Sequence, residues 1–137
     1  MKVYVSASLL EAEKLIRIYD FIRGTGHDIV NRIQRNGVSS YHLDADLILK
    51  SQVFMHLSDV RDPDTHVELG MALSTRRIWH QIPIIYVIGT NANECPHYSH
   101  PDVDARVILD SRSLEEVVGY VLSDSERRLA GIKKIDL

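Results

Sequence analysis

The chain has little cysteine, little proline and no excess of basic side chains. Cys95 is its single cysteine, so no intrachain disulfide is possible and a reducing, cytoplasmic setting is expected. The net charge of −3 argues against a broad basic surface and therefore against a nucleic-acid partner. No apolar run is long enough to span a bilayer, and the amino-terminal residues do not resemble a signal peptide. No membrane partner is expected.

What the chain does have is an ordinary globular composition. Its 137 residues are 45% hydrophobic and 26% charged, which argues against intrinsic disorder. This length suits one domain with a real core, so we expect a single domain over residues 1–137.

Strand and helix patterns alternate along the chain. Apolar and β-branched runs predict strands at 2–6, 27–30, 53–58, 83–88 and 106–109. Helical spacing predicts helices at about 12–22, 44–51 and 64–77, and a last helix that begins after Ser113 and buries Leu114, Val117, Val118 and Val121. Residues 31–40 are polar and receive no assignment, and 89–104 is predicted to be a long loop. The alternation predicts an α/β fold with a doubly wound, parallel, five-stranded sheet in a flavodoxin-like order.

Two short polar sequences are typical of helix starts. Ser8-x-x-Glu11 and Ser113-x-x-Glu116 each fit a capping box, in which the serine and the glutamate satisfy free amides at the amino end of a helix. Ser6 and Ser8 could also hold a phosphate at a helix start, but no glycine-rich loop accompanies them.

The stretch Asp-Pro-Asp-Thr-His-Val-Glu-Leu-Gly at 62–70 joins the third predicted strand to the next helix. Ligands of open α/β sheets usually bind at such junctions. Glu68 is expected in the first helical turn, near the positive end of the helix dipole. The predicted fold could gather four carboxylates and three hydroxyls at one edge of the sheet: Asp44, Asp62, Asp64 and Glu68, with Tyr4, Ser6 and Ser8. Such a cluster could bind a hard metal, act as a general acid and base, or supply a carboxylate nucleophile.

Structural explanations compete with each of these functions. Thr65-x-x-Glu68 is itself a capping box, which would leave Glu68 bound to its own helix. Asp62-Pro63-Asp64 is ordinary turn chemistry, and Asp44 could be an N-cap.

The histidines receive similar interpretations. His56 is expected to be packed and hydrogen-bonded, and His66 at a helix start is expected to face solvent. His97 and its neighbours up to Asp102 have spacing too loose for a metal site, so a polar loop is favoured and no metal is expected.

Three pieces of the sequence together resemble the nucleoside 2-deoxyribosyltransferase superfamily, which includes related N-glycosidases of nucleoside monophosphates. They are Val-Tyr-Val-Ser-Ala-Ser at 3–8, Asp44 ahead of the strand at 53–57, and Asp62 with Glu68-Leu69-Gly70-x-Ala72. The apolar strand at 82–88 follows at the expected place, and the resemblance covers about the first two thirds of the chain.

The resemblance implies an enzyme without a cofactor that acts on a nucleoside or nucleotide through a glycosyl-enzyme intermediate. Glu68 would be the nucleophile, Asp44 would contact the base and help to protonate it, and Tyr4 would orient Glu68. The family also implies a homodimer or larger homo-oligomer. Ser6, Ser8, Asp64, His66 and Asn91 are further candidates for substrate binding. Asn91 and Asn93 are both candidates for the asparagine that some members lend to a neighbouring subunit, although the loop lengths differ.

Asp62 is the third candidate catalytic residue, with Glu68 and Asp44, and its identity bears on the substrate. In the resembling transferases the matching residue is an aspartate near the sugar, whereas the monophosphate hydrolases typically have a phosphate-binding serine there. A carboxylate about 4 Å from a phosphate would cost about 4 kcal/mol at an effective dielectric of about 20, so Asp62 favours a free nucleoside.

Other features favour different functions. Thr65-His66-Val67-Glu68 and Ser8 resemble the monophosphate hydrolases, which keeps a nucleoside 5′-monophosphate N-glycosidase open. The divergent acidic turn and the histidine-bearing loop leave a non-catalytic nucleotide-sensing module open. A TIR-like enzyme that cleaves NAD is a remoter alternative.

Overall fold

The computed structural model describes residues 1–31, 41–60, 62–79 and 81–135, and side chains are described within these ranges except at 41–43 and 133–135. The strands are β1 (Lys2–Ser6), β2 (Asp28–Ile29), β3 (Val53–Leu57), β4 (Ile84–Gly89) and β5 (Ala105–Ile108). The α-helices are α1 (Ala12–Gly24), α2 (Tyr41–Leu49), α3 (Pro63–Trp79) and α4 (Leu114–Ile135). Short 3₁₀ helices occupy Leu9–Glu11 and Pro96–Ser99. The unassigned polar stretch 31–40 lies, apart from Asn31, outside the described residues.

The five strands form one parallel sheet in the order β2-β1-β3-β4-β5. This is the flavodoxin-like order, so the predicted fold is confirmed. The chain moves outward in one direction from β1 and in the other from β3, and the carboxyl ends of these two strands lie side by side. Ser6 at the end of β1 pairs in register with His56 of β3.

Side chains alternate between the two faces of the sheet, as strand geometry requires. Val3 and Val5 of β1 pack with α1 and α4, in a cluster that we call the aliphatic face. Tyr4 of β1 and Phe54 of β3 pack with α2 and α3, in a second cluster that we call the polar face because the hydroxyl and imidazole groups of Ser6 and His56 extend it.

The aliphatic face is closed by the helical positions that the sequence predicted. Leu114, Val117, Val118 and Val121 of α4 are all buried, and Ile18 and Ile22 of α1 pack beside them. The apolar spacing of the two helices therefore determines how they cover the sheet.

The predicted helix starts hold at α4 and differ at α1. Ser113 Oγ accepts a hydrogen bond from the Glu116 amide at 3.1 Å, as a cap should. Ser8 Oγ accepts instead from Leu10, 3.3 Å away, and caps the 3₁₀ turn that precedes α1. Glu11 pairs with Lys14 at 3.1 Å. At Ser8-x-x-Glu11 the serine therefore caps the 3₁₀ turn, and α1 has no side-chain cap.

The loop between β4 and β5 is not an open excursion. Cys95 and Tyr98 in this loop are buried against the polar face. Because its apolar side chains are anchored, this loop is part of the core above the carboxyl ends of the strands.

Among the helices of the described ranges, none is long and apolar enough to cross a bilayer.

Candidate active site

The candidate site lies where β1 and β3 end beside each other, at the point where the strand order reverses. Ser6 closes β1, and α3 begins six residues after β3 ends. Crevices at this position are the usual ligand sites of open α/β sheets. The crossing connections bring the acidic stretch 62–70 next to the serines of the first strand.

Glu68 lies on α3 with its carboxylate turned toward β1. Tyr4 donates a hydrogen bond to Oε2, and the Ser6 hydroxyl lies within hydrogen-bond distance of Oε1, at 3.3 Å. The sequence predicts Glu68 in the first helical turn. Because α3 begins at Pro63, Glu68 is instead in the second turn. The side chain is half-buried, so it is neither sealed in the core nor fully solvated.

The capping explanation for Glu68 is wrong. Asp62 caps α3, because its Oδ1 accepts from the Asp64 amide at 2.9 Å. Thr65 already lies inside the helix and donates to the Asp62 carbonyl at 2.8 Å. Glu68 therefore has no capping duty, and its carboxylate is held by side chains of a different element.

Burial raises the pKa of Glu68 to about 7. The hydrogen bonds from Tyr4 and Ser6 favour the charged form and oppose this shift, whereas the negative charges of Asp44 and Asp64 reinforce it. At neutral pH this carboxyl group is therefore poised between its two protonation states. Perturbed acids of this kind concentrate at functional sites.

The two nearby phenols respond to the same charge. Burial raises the pKa of Tyr4, and the Glu68 charge and hydrogen bond raise it further, so Tyr4 stays a donor. Burial and Glu68 also raise the pKa of Tyr19 to about 12. Tyr19 is a residue of α1 that the sequence did not point to.

Asp44 is buried in α2, with 6% of its surface exposed, and its charge acts on both Tyr4 and Glu68. It is not an N-cap, because α2 begins three residues earlier, at Tyr41. The apolar spacing that predicted this helix begins only at Ala45, so the predicted start at Asp44 is too late.

Asp62 has both carboxylate oxygens engaged. Oδ1 caps α3 as described, and Oδ2 accepts from Ser8 Oγ at 3.1 Å. Ser8 and Asp62 thereby tie the turn after β1 to the start of α3. In this arrangement Asp62 caps α3 and also holds the turn after β1 against the start of that helix.

His66 lies within a cluster of rings, which contradicts the expected solvent-facing position. Its ring stacks on Tyr98, with centroids 5.9 Å apart and an interplanar angle of 9°, and lies 5.5 Å from the ring of His56. His97 meets it edge-on at 6.0 Å. Within the described ranges, no group of three or more His, Cys, Asp or Glu side chains is arranged to hold a metal ion.

Among the described residues, no hydrogen bond joins Asn91 to the carboxylates and hydroxyls around Glu68. Asn91 lies in the turn after β4, where its side-chain oxygen is buried without a partner in the described part of the chain. The carboxylates and hydroxyls at the edge of β1 and the start of α3 are thus gathered, and Asn91 stands apart.

The comparison with solved structures supports the architecture. No family model matches the chain, and no curated protein sequence matches it. Among solved structures, the Clostridium botulinum CMP N-glycosidase BcmB is similar, with a TM-score of 0.62 and 17% sequence identity. The match covers 89% of this chain and 99% of that one. At this identity the likeness shows a shared fold.

Proposed function

We propose that this protein cleaves the N-glycosidic bond of a nucleoside or nucleotide, with Glu68 as the nucleophile. The observation that carries the proposal is the carboxylate itself. It is half-buried at the reversal point of the sheet, held by Tyr4 and Ser6, and free of capping duty. The N-glycosidase activity of a protein with the same fold, and the family resemblance of the sequence, support the same chemistry.

In the proposed reaction, a Glu68 oxygen forms a bond to the anomeric carbon while the bond from that carbon to the base nitrogen breaks. The bonding electron pair leaves with the base, which takes up a proton that we assign to Asp44. Water or a second base then attacks the same carbon, gives a proton to the Asp44 carboxylate, and releases Glu68 as a carboxylate. Two inversions give net retention, as in retaining glycoside hydrolysis.

The hydrogen bonds to Glu68 have a definite role in this scheme. Tyr4 and Ser6 leave a lone pair on each carboxylate oxygen while they fix the direction of the group. A nucleophile that is already oriented needs less reorganisation before attack. The raised pKa also keeps Glu68 basic enough to be a good nucleophile near neutral pH.

A nucleoside 5′-monophosphate is the second candidate substrate, because Thr65-His66-Val67-Glu68 and Ser8 resemble the monophosphate hydrolases. Asp62 Oδ1 accepts from the Asp64 amide and Oδ2 accepts from Ser8, so both oxygens have a hydrogen-bond donor without a sugar hydroxyl. The argument from Asp62 for a free nucleoside is correspondingly weaker. The similar fold of an enzyme named for CMP points the same way.

The test is to incubate the protein with deoxynucleosides and with CMP and its relatives, with and without a second base, and to follow free base by chromatography. Release of base by the wild type and its loss in Glu68→Ala would support the proposal. Faster release from the phosphorylated substrates, abolished by Ser8→Ala, would select the monophosphate. Binding of a nucleotide by calorimetry without any turnover would overturn the enzymatic proposal in favour of a sensing module.

Assembly into a homodimer or larger homo-oligomer is part of the proposal. Several large apolar side chains are more than half exposed: Leu9, Leu10, Ile16, Ile78, Trp79 and Tyr120. A contiguous exposed apolar patch marks a protein interface, and these side chains are the candidates for one. Light scattering coupled to size-exclusion chromatography would measure the mass, and a monomer at all concentrations would contradict this part.

A further inference from the structure

Ser6 sits between three hydrogen-bond acceptors with a single proton to give. Its Oγ lies 3.3 Å from Glu68 Oε1, 3.4 Å from the Thr65 carbonyl oxygen and 3.4 Å from His56 Nδ1. The three distances are nearly equal, so distance alone does not decide which group receives the proton. A hydroxyl has one donor and two acceptor positions, so its orientation depends on what its neighbours can offer.

His56 is the neighbour whose role can change. It is 1% exposed, and burial together with the adjacent His66 lowers its pKa to about 3. At neutral pH its ring is therefore uncharged and carries one proton on either Nδ1 or Nε2. On its far side, Nε2 lies 3.1 Å from the hydroxyl of Tyr98.

The two tautomers have opposite consequences for Glu68. If Nδ1 carries no proton, it can accept the Ser6 proton, and Glu68 Oε1 then faces a bare hydroxyl oxygen. If Nδ1 carries the proton, it donates to Ser6 Oγ, and the Ser6 proton remains for Glu68 or Thr65. A carboxylate accepts more strongly than a carbonyl, so the second arrangement directs Ser6 to Glu68.

We infer that Tyr98 donates to His56 Nε2 and holds His56 as the Nδ1–H tautomer, which turns the Ser6 hydroxyl toward Glu68. His56 and Tyr98 are then positioning residues that act on the glutamate through Ser6. The inference deepens the proposed function, since it explains how a buried carboxylate keeps its second hydrogen bond. It also gives the loop between β4 and β5 a task, because this loop delivers Tyr98.

Charged and titratable groups from several elements surround this chain of hydrogen bonds. The charges of Asp44 of α2 and Asp64 of α3 act on Glu68, and Tyr4 of β1 donates to it. The Glu68 charge acts in turn on Tyr19 of α1. His66 acts on His56 from α3. None of these groups changes the direction of the Ser6 proton by contact with Ser6 in the described residues, so the tautomer of His56 remains the deciding element.

The first test needs no substrate and is therefore independent of the proposed function. Nitrogen-15 spectra of the histidine rings in the wild-type protein distinguish a protonated Nδ1 from a protonated Nε2. We expect the Nδ1–H form of His56 above the Glu68 pKa, with a change in the ring signals as Glu68 takes up its proton. Glu68→Gln removes that change, whereas a change caused by His66 would persist. An Nε2–H ring in the wild type would overturn the inference.

The second test uses activity. Tyr98→Phe removes only the donor, and we expect kcat to fall about tenfold with KM within about twofold, the size expected for one hydrogen bond near a charge. The acid limb of the pH profile should move to higher pH, because Glu68 loses part of its Ser6 bond. Tyr86→Phe removes the hydroxyl of an equally buried tyrosine on the aliphatic face; it is the matched control and should leave kcat and the acid limb of the folded protein unchanged.

His56→Asn separates positioning from packing. Its amide nitrogen can replace Nδ1 as a donor to Ser6, so it should retain more activity than His56→Leu. Equal activity in the two variants, or an unchanged pH profile in a folded Tyr98→Phe protein, would contradict the inference. If neither the wild type nor any variant turns over substrate, the proposed function fails, and the ring spectra still decide the tautomer.

Discussion

Two tyrosine–carboxylate pairs stand on opposite faces of the same sheet. On the polar face, Tyr4 of β1 donates to Glu68 of α3. On the aliphatic face, Tyr86 of β4 donates to Asp124 of α4 at 2.7 Å. In each pair a buried phenol from a strand meets an acid from a covering helix, so the local chemistry is nearly the same.

The surroundings of the two acids differ in the sign of their charge. Asp124 forms ion pairs with Arg127 and Arg128, the latter at 2.7 Å. Glu68 has no ion pair among the described residues, and its charged neighbours are Asp44 and Asp64. One acid is compensated, and the other is crowded by like charges.

The pKa values move in opposite directions as a result. Burial opposes the charge of Asp124, but the hydrogen bonds from Tyr86 and Arg128 and the charge of Arg128 outweigh it and lower the pKa. At Glu68 burial is only partly offset, and the pKa rises to about 7. A hydrogen bond from a tyrosine alone therefore does not keep a buried acid ionised. A cation does, and its absence leaves an acid available for chemistry.

The largest expected effect is on activity. Glu68→Gln keeps the shape of the side chain and removes the nucleophile, so base release should fall by about 10³-fold or more. Asp124→Asn is the matched change in the compensated pair. It should leave kcat of the folded protein within about twofold, because Asp124 lies on the opposite face of the sheet from Glu68. Equal losses in the two variants would show that the two pairs do not differ in the way proposed. Chromatography of the released base measures both.

The next effect is on the free energy of unfolding. Asp124→Asn should destabilise the protein by about 2 kcal/mol near neutral pH, since it leaves Arg127 and the buried Tyr86 without their charged acceptor and removes one of the two acids that pair with Arg128. The folded pKa of Asp124 is lowered, so its contribution is present above its ordinary pKa and is lost as the pH falls through the folded value. Urea unfolding at several pH values measures the difference, which should shrink in acid.

Glu68→Gln should have the opposite sign. Because the folded pKa of Glu68 is raised from 4.5 to about 7, the folded protein binds a proton that the unfolded chain has already released within this range. Stability therefore falls as pH rises through the window, and Glu68→Gln should be more stable than wild type by about 1–2 kcal/mol above it. Below the window the two should converge. A destabilised Glu68→Gln protein at about pH 8 would mean that the carboxylate is compensated by a group outside this account.

The smallest expected effect separates the two tyrosines. Tyr4→Phe removes a donor to the Glu68 carboxylate, so its pKa should rise further and kcat/KM at neutral pH should fall about tenfold. The acid limb of the wild-type pH profile should have an apparent pKa of about 7 and should move upward in this variant. Tyr86→Phe should leave the limb in place. Rates measured across the pH range, with unfolding curves as a check, distinguish the two outcomes.

Much of the fold could be predicted because it depends on patterns within single elements. The bounds of β1 were predicted without error, and the buried positions of α4 followed from helical spacing. The polar stretch 31–40 carried no such pattern. The start of α2 was placed too late for the same reason, because a helix without amphipathic spacing gives a weak signal.

The candidate site could be predicted only in part. Strand ends and the family resemblance brought out Tyr4, Ser6 and Glu68, and the structure places them within hydrogen-bonding reach. They did not show that Asp62 caps α3 and binds Ser8, or that Tyr98 reaches His56 from the loop. These contacts join residues far apart in the chain, and no local spacing encodes them.

By itself the sequence determined the alternation of strands and helices, and with it the two-faced parallel sheet and the edge at which acids and hydroxyls meet. Only the tertiary structure decided which acid is compensated and which is not. Tyr86 and Asp124 are 38 residues apart, and Tyr4 and Glu68 are 64 apart. The protonation state of each acid depends on burial and on the distance to other charges, and both quantities exist only once the chain has folded.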